Sequence, residues 1–144
     1  MIPSFDKKKL ASIAKQHRLR FVILHGSHAR GKEHSESDVD IAFVPERHMD
    51  MNEALALFEP FSLLLKGGAG TYLDLDLKSM EGASPLFRYE VTRDGVLLYG
   101  NPADYEEYKA ISARMYDDAR PLFDLERALV HKYQRHLNTI SHAQ

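Results

Sequence analysis

Two segments of the chain alternate carboxylates with apolar residues at a period of two, and this pattern restricts the fold more than any other feature. In Asp38-Val39-Asp40-Ile41-Ala42-Phe43-Val44 and in Tyr72-Leu73-Asp74-Leu75-Asp76-Leu77, the acids fall on one side of an extended backbone, and Val39, Ile41 and Phe43 or the three leucines on the other. Each segment reads as a half-buried strand with its carboxylates gathered on one face. A third run, Phe21-Val22-Ile23-Leu24, is apolar, rich in β-formers and stops at Gly26, as a buried strand entering a tight turn does. A fourth, Val96-Leu97-Leu98-Tyr99, follows the turn signal Asp94-Gly95.

Helical spacing fills the intervals. Ser4 is placed to cap a first helix carrying Leu10, Ile13, Ala14 and His17 and ending near Arg18. A second helix is expected to start in the Ser27-His28-Ala29-Arg30 stretch. Asn52 to Lys66 has helical periodicity through Leu55, Phe58, Phe61 and Leu65, with Pro60 expected to kink or split it and Gly67-Gly68-Ala69-Gly70 to end it. Ser84 and Pro85 start a short helix through Phe87 and Val91, and Gly100-Asn101-Pro102 opens a long C-terminal helical region that Pro121 should interrupt. The order is α, β, α, β, α, β, α, β, α, an α/β (α+β) arrangement. With 144 residues, no repeat and no linker, residues 1–144 form one expected domain, with a core over about 19–100 and a helical tail over 101–142.

Composition narrows the partners. A net charge of -2 leaves no electrostatic footprint for a polynucleotide, so no nucleic-acid partner is expected. The absence of cysteine removes disulfides, thiolate zinc sites and Cys nucleophiles, and is compatible with a reducing cytoplasm. No segment approaches the roughly 18 apolar residues that span a bilayer. The expectation is a cytoplasmic protein without a membrane partner.

The acids and the glycine turn together suit nucleotidyl transfer. That reaction must neutralise a triphosphate, align the α-phosphorus with an acceptor hydroxyl and stabilise the departing pyrophosphate. Gly26 lets the backbone turn sharply and approach a phosphate, while Ser27, at a helix start, offers a hydroxyl and N–H groups. Asp38 and Asp40 point the same way and suit magnesium, a hard ion that prefers oxygen. A third carboxylate, Asp74 or Asp76, would complete the metal site or accept the proton of the attacking hydroxyl. Arg30 serves equally as a phosphate clamp or as an ion-pair partner holding the loop.

Gly26-Ser27-His28-Ala29-Arg30-Gly31, ten residues between Ser27 and Asp38, and Ser37-Asp38-Val39-Asp40-Ile41-Ala42-Phe43 closely resemble the minimal nucleotidyltransferase family of the polymerase-β-like superfamily. The stretch from Ala83 to Tyr99 resembles the family's segment beyond its third strand, so the likeness covers roughly residues 19 to 100. Within the family the chain is most similar to MntA-type antitoxins paired with HEPN ribonuclease toxins. The resemblance implies a nucleotidyltransferase fold, with a small mixed β-sheet flanked by helices and a C-terminal helical extension. It also implies transfer of AMP from ATP onto a tyrosine of a HEPN-family toxin, with two Mg2+ ions and a hetero-oligomer with that toxin. It assigns Gly26 and Ser27, with Arg30, to the ATP phosphates. Asp38 and Asp40 are its metal pair, and Asp74 its third acid with Asp76 as competitor. The chain departs from the family at His25, where an aromatic residue is common, and in offering two acids at the third position.

Two other functions remain open at this stage: nucleotidyl transfer to a small molecule, as in aminoglycoside-modifying enzymes, and a non-catalytic antitoxin acting by binding alone. His25, His28, His34 and His48 match no zinc spacing and read as ordinary surface or loop residues. Lys7, Lys8 and Lys9 read as a solvated face. Tyr105, Tyr108, Ile111 and Met115, then Leu122, Leu125, Leu129, Tyr133 and Leu137, form an apolar stripe, expected either to pack on the domain or, in its distal part, to dock a partner.

Overall fold

A computed structural model describes residues 5–31, 38–66 and 74–143. The elements are α1 (Lys7–Gln16), β1 (Leu19–His25), α2 (Gly26–Ala29), β2 (Val39–Pro45), α3 (Met51–Leu55), α4 (Phe58–Lys66), β3 (Leu75–Ser79), α5 (Pro85–Asp94), β4 (Val96–Tyr99) and α6 (Pro102–His142). The strands form one mixed sheet in the order β3-β2-β1-β4, with β1 antiparallel to β2 and β4, and β2 parallel to β3. A parallel pair needs a crossover, which α3 and α4 supply.

Alternation along the strands builds a core on both faces of the sheet. Val22, Leu24, Ile41 and Phe43 pack with Leu10 and Ala14 of α1 and with Phe61 and Leu64 of α4. Phe21, Ile23 and Ala42 point the other way, against Val91 of α5 and Tyr105 and Tyr108 of α6. Both tyrosine rings lie 5.4 Å from the Phe21 ring, and Arg88 Nε donates to Ser112 Oγ at 2.7 Å to fasten α5 to α6. Asp40 shares its face with Ala42, so the acids open on the side covered by α5.

Local chemistry sets most helix starts as expected. Ser84 Oγ accepts from the Phe87 N–H with Pro85 in the first turn, and the Asn101 side chain accepts from Ala103 and Asp104. Three expectations change. Asp6 is the cap of α1, its carboxylate accepting from Lys8 and Lys9; Ser4 lies outside the described residues. The Asn52 to Lys66 helix does split, but at Ala56 and Leu57, because Pro60 sits in the first turn of α4, where a missing N–H costs little. Pro121 does not interrupt α6, which runs unbroken for 41 residues. Pro121 and Asp117, whose carbonyl loses its helical donor, are both exposed, a position where water can satisfy the freed carbonyl. Gly67 to Leu73, including the expected breaker and the first two residues of the expected third strand, lie outside the described residues; β3 runs over Leu75–Ser79. Among the described residues no helix is long and apolar enough to cross a membrane.

Candidate active site

β1 ends in a left-handed turn at Gly26, whose φ is +74°. A side chain there would collide with Asp40 Oδ2 and bring a Cβ to 3.0 Å from Asp40 Cγ. The sequence therefore has glycine for two reasons: the backbone conformation, and the space that the neighbouring carboxylate fills. Ser27 follows within the single turn of α2, half-buried, and Arg30 caps that turn from an exposed position.

Strand register assembles the rest. His25 lies opposite Asp40 across β1 and β2, and Asp40 lies opposite Asp76 across β2 and β3. Paired residues project from the same face, so an imidazole and two carboxylates form one transverse row over three strands. Asp38 and Asp74 sit one step further out, both exposed; there the Val39 N–H donates to the Asp74 carbonyl at 2.8 Å. The structure thus brings Asp76 to Asp40 and Asp74 to the level of Asp38.

The electrostatics follow from this crowding. Burial raises the Asp40 carboxyl above its usual range, and the charge of Asp76 and a hydrogen bond between the two carboxyls push it further, with Lys78 opposing. Lys78 Nζ lies 3.3 Å from Asp76 Oδ2 and 5.4 Å from the centre of the Phe87 ring. Burial, followed by the Lys78 charge, pushes His25 down to about 4, so its imidazole is neutral at pH 7. Its ring meets Phe87 edge-on at 5.8 Å, and its Nε2 is buried without a hydrogen-bond partner. A cavity of about 200 Å³ adjoins this row, lined by His25, Gly26 and Arg30 and, from α5, by Phe87, Arg93 and Asp94.

These residues fit a divalent metal. Two carboxylates held together at the cost of a raised proton affinity have surplus negative charge, and their oxygens are hard donors. Among the described residues, three acid or histidine side chains do not yet converge on one point.

Sequence reasoning missed Lys78 and the role of α5. Lys78 was legible, being two residues beyond Asp76 and so on the same face; nothing local shows that Phe87 covers His25. Two of the histidines differ from expectation, His28 being buried at 6% exposure and His25 half-buried in the row; His48 is exposed, as expected, and paired with Glu81, and His34 lies outside the described residues.

Residues 8–104 match the family described as Polymerase beta, Nucleotidyltransferase. Over 99 residues the chain is 27% identical to the protein adenylyltransferase MntA of Shewanella oneidensis, an overlap covering 69% of this chain and 67% of that protein. In structure it is similar to a toxin-antitoxin with AMP-PNP, at a TM-score of 0.69 and 23% identity, over 90% of this chain and 98% of that one. It is also similar to a chain in the complex of tri-AMPylated Shewanella oneidensis HEPN toxin with MNT antitoxin, at a TM-score of 0.64 and 21% identity, over 89% of this chain and 95% of that one. At those identities the structural likeness shows a shared fold. The match over two-thirds of the sequence, on the sheet that carries the glycine turn and the acid row, establishes that the chain belongs to the polymerase beta nucleotidyltransferase family.

Proposed function

We propose that this chain is a magnesium-dependent protein adenylyltransferase that moves AMP from ATP to a tyrosine hydroxyl of a HEPN-family toxin and so acts as its antitoxin. The observation that carries the chemistry is the contact of Gly26 with Asp40 in a row that includes Asp76. The backbone at Gly26 and Ser27 receives the triphosphate, with Arg30 at the rim of the adjoining cavity. Asp38, Asp40 and Asp76 would hold two metal ions. Asp76 is preferred to Asp74 as third acid because it is level with Asp40 and hydrogen-bonded to it.

Magnesium held by these carboxylates would neutralise triphosphate charge and help to align the α-phosphate with the acceptor. The acceptor oxygen bonds to the α-phosphorus as the bond to pyrophosphate breaks, and the hydroxyl proton passes to a carboxylate of the row. The neutral His25 adds no positive charge that would compete with the metal. The protein acceptor is supported by similarity to MntA, named a protein adenylyltransferase, and by the AMPylated HEPN toxin in a complex with a similar antitoxin. A cytoplasmic hetero-oligomer with the toxin follows from the same reading.

The test is incubation of the chain with α-labelled ATP, magnesium and its cognate HEPN protein. Label on a toxin tyrosine, lost with EDTA or in Asp40→Ala, is the expected result. Neutralisation that persists without labelling would overturn the reading in favour of occlusion by binding.

A further inference from the structure

Among the described residues, the second half of α6 is not covered by its own domain. Tyr105, Tyr108 and Ser112 bury the helix against the body, whereas every residue from 124 to 143 is exposed. Leu125, Leu129 and Tyr133 are 54%, 56% and 62% exposed, on a stripe that reaches from Met115 to Ile140. Most helical stability in proteins comes from packing of an apolar face, and a continuous exposed apolar stripe marks a surface that another molecule covers.

We infer that this stripe pairs with the same stripe of a second copy of the chain, antiparallel about a two-fold axis near Arg127. Two features select that occupant. The apolar spacing reads alike in both directions: reversal about Arg127 sets Leu125 against Leu129 and, within one residue, Leu122 against Tyr133 and Met115 against Ile140. A two-fold interface requires such self-complementarity. The charges agree. Residues 117–126 carry Asp117, Asp118, Asp124 and Glu126 against Arg120, whereas 127–143 carry Arg127, Lys132 and Arg135 with no acid. Antiparallel pairing lays the acidic stretch of each copy along the basic stretch of the other and brings Asp118 level with His136. Parallel pairing sets like charge on like. This inference stands independently of the chemistry proposed for the acid row.

Sedimentation equilibrium of the full chain at micromolar concentration tests it. The expected species is a dimer, and Leu125→Asp with Leu129→Asp weakens it at least about 100-fold, the equivalent of burying an unpaired charge. Because those changes also affect the helix, Asp118→Arg supplies a gentler probe: it weakens the dimer, and adding His136→Asp restores it. The cysteine-free chain permits a single spin label at Ser141→Cys. Antiparallel pairing sets two such labels about 40 Å apart, from a rise of 1.5 Å per residue, against about 10 Å for parallel pairing. A monomer, including one that associates only with the toxin, a short label distance, or a dimer indifferent to these substitutions would overturn the inference.

Discussion

Gly26→Ala separates the two demands on the glycine turn. An alanine at φ +74° costs about 1–2 kcal/mol in the left-handed region alone. Gly82 provides the control, since its φ is +72° and a Cβ there meets nothing within 4 Å. Gly82→Ala therefore carries the backbone cost without a clash. At Gly26 the added methyl overlaps Asp40 Oδ2 and stands 3.0 Å from Cγ and 3.2 Å from Cβ, so the carboxylate must move rather than merely rotate its tip. A displacement of about 1 Å in a reacting constellation costs about 100-fold in rate. Urea unfolding should show both variants destabilised, Gly26→Ala by the backbone cost plus that of the clash, while AMP transfer from labelled ATP falls about 100-fold or more only in Gly26→Ala. Transfer by Gly26→Ala equal to that of Gly82→Ala would refute the claim that the turn exists to admit the Asp40 carboxylate.

Protonation of His25 should oppose folding. Its value is about 4 in the fold against an ordinary 6.5, so the unfolded chain takes the proton first; stability is full above pH 6.5 and falls as pH drops toward 4. Discounted for partial exposure, the contribution is about 1 kcal/mol, and urea titrations of His25→Phe should lose that slope. Asp40→Asn should melt higher than the parent at pH 7 without metal, because the parent holds a carboxylate whose proton affinity is raised, and it should lose both transfer activity and any stabilisation by magnesium. Pro121→Ala restores a backbone donor to the Asp117 carbonyl; amide exchange along the distal half of α6 should slow, by up to the equivalent of about 3 kcal/mol.

The strands were legible because alternation is a local property: Val39, Ile41 and Phe43 turn inward whichever strand is the neighbour. Caps at Ser84 and Asn101 were legible for the same reason, each depending on a side chain within three residues of the N–H it receives. The continuity of α6 was not. Proline is a local penalty, and whether a helix tolerates it depends on whether the freed carbonyl can reach water, which is a property of the surface and not of the sequence around it.

The third acid shows where local pattern runs out. Leu73-Asp74-Leu75-Asp76-Leu77 is invariant to a shift of two residues: sliding β3 by that amount keeps its leucines in the core and its acids outward, while exchanging which aspartate faces Asp40. Hydrophobic burial has little preference between those registers. In the observed register backbone bonds close both ends of the ladder, the Val39 N–H donating to the Asp74 carbonyl and the Met80 N–H to the Phe43 carbonyl, each at 2.8 Å. The register that satisfies both also brings Lys78 level with Ala42, next to the acid pair, where its ammonium offsets the charge of Asp76. A two-residue slip would carry Lys78 level with Asp40's successor on that face no longer, leaving Asp40 to face Asp74 with the lysine moved out of the row's flank. The composition of the site is thus written in the sequence as an alternation, and the identity of its members is decided by strand pairing.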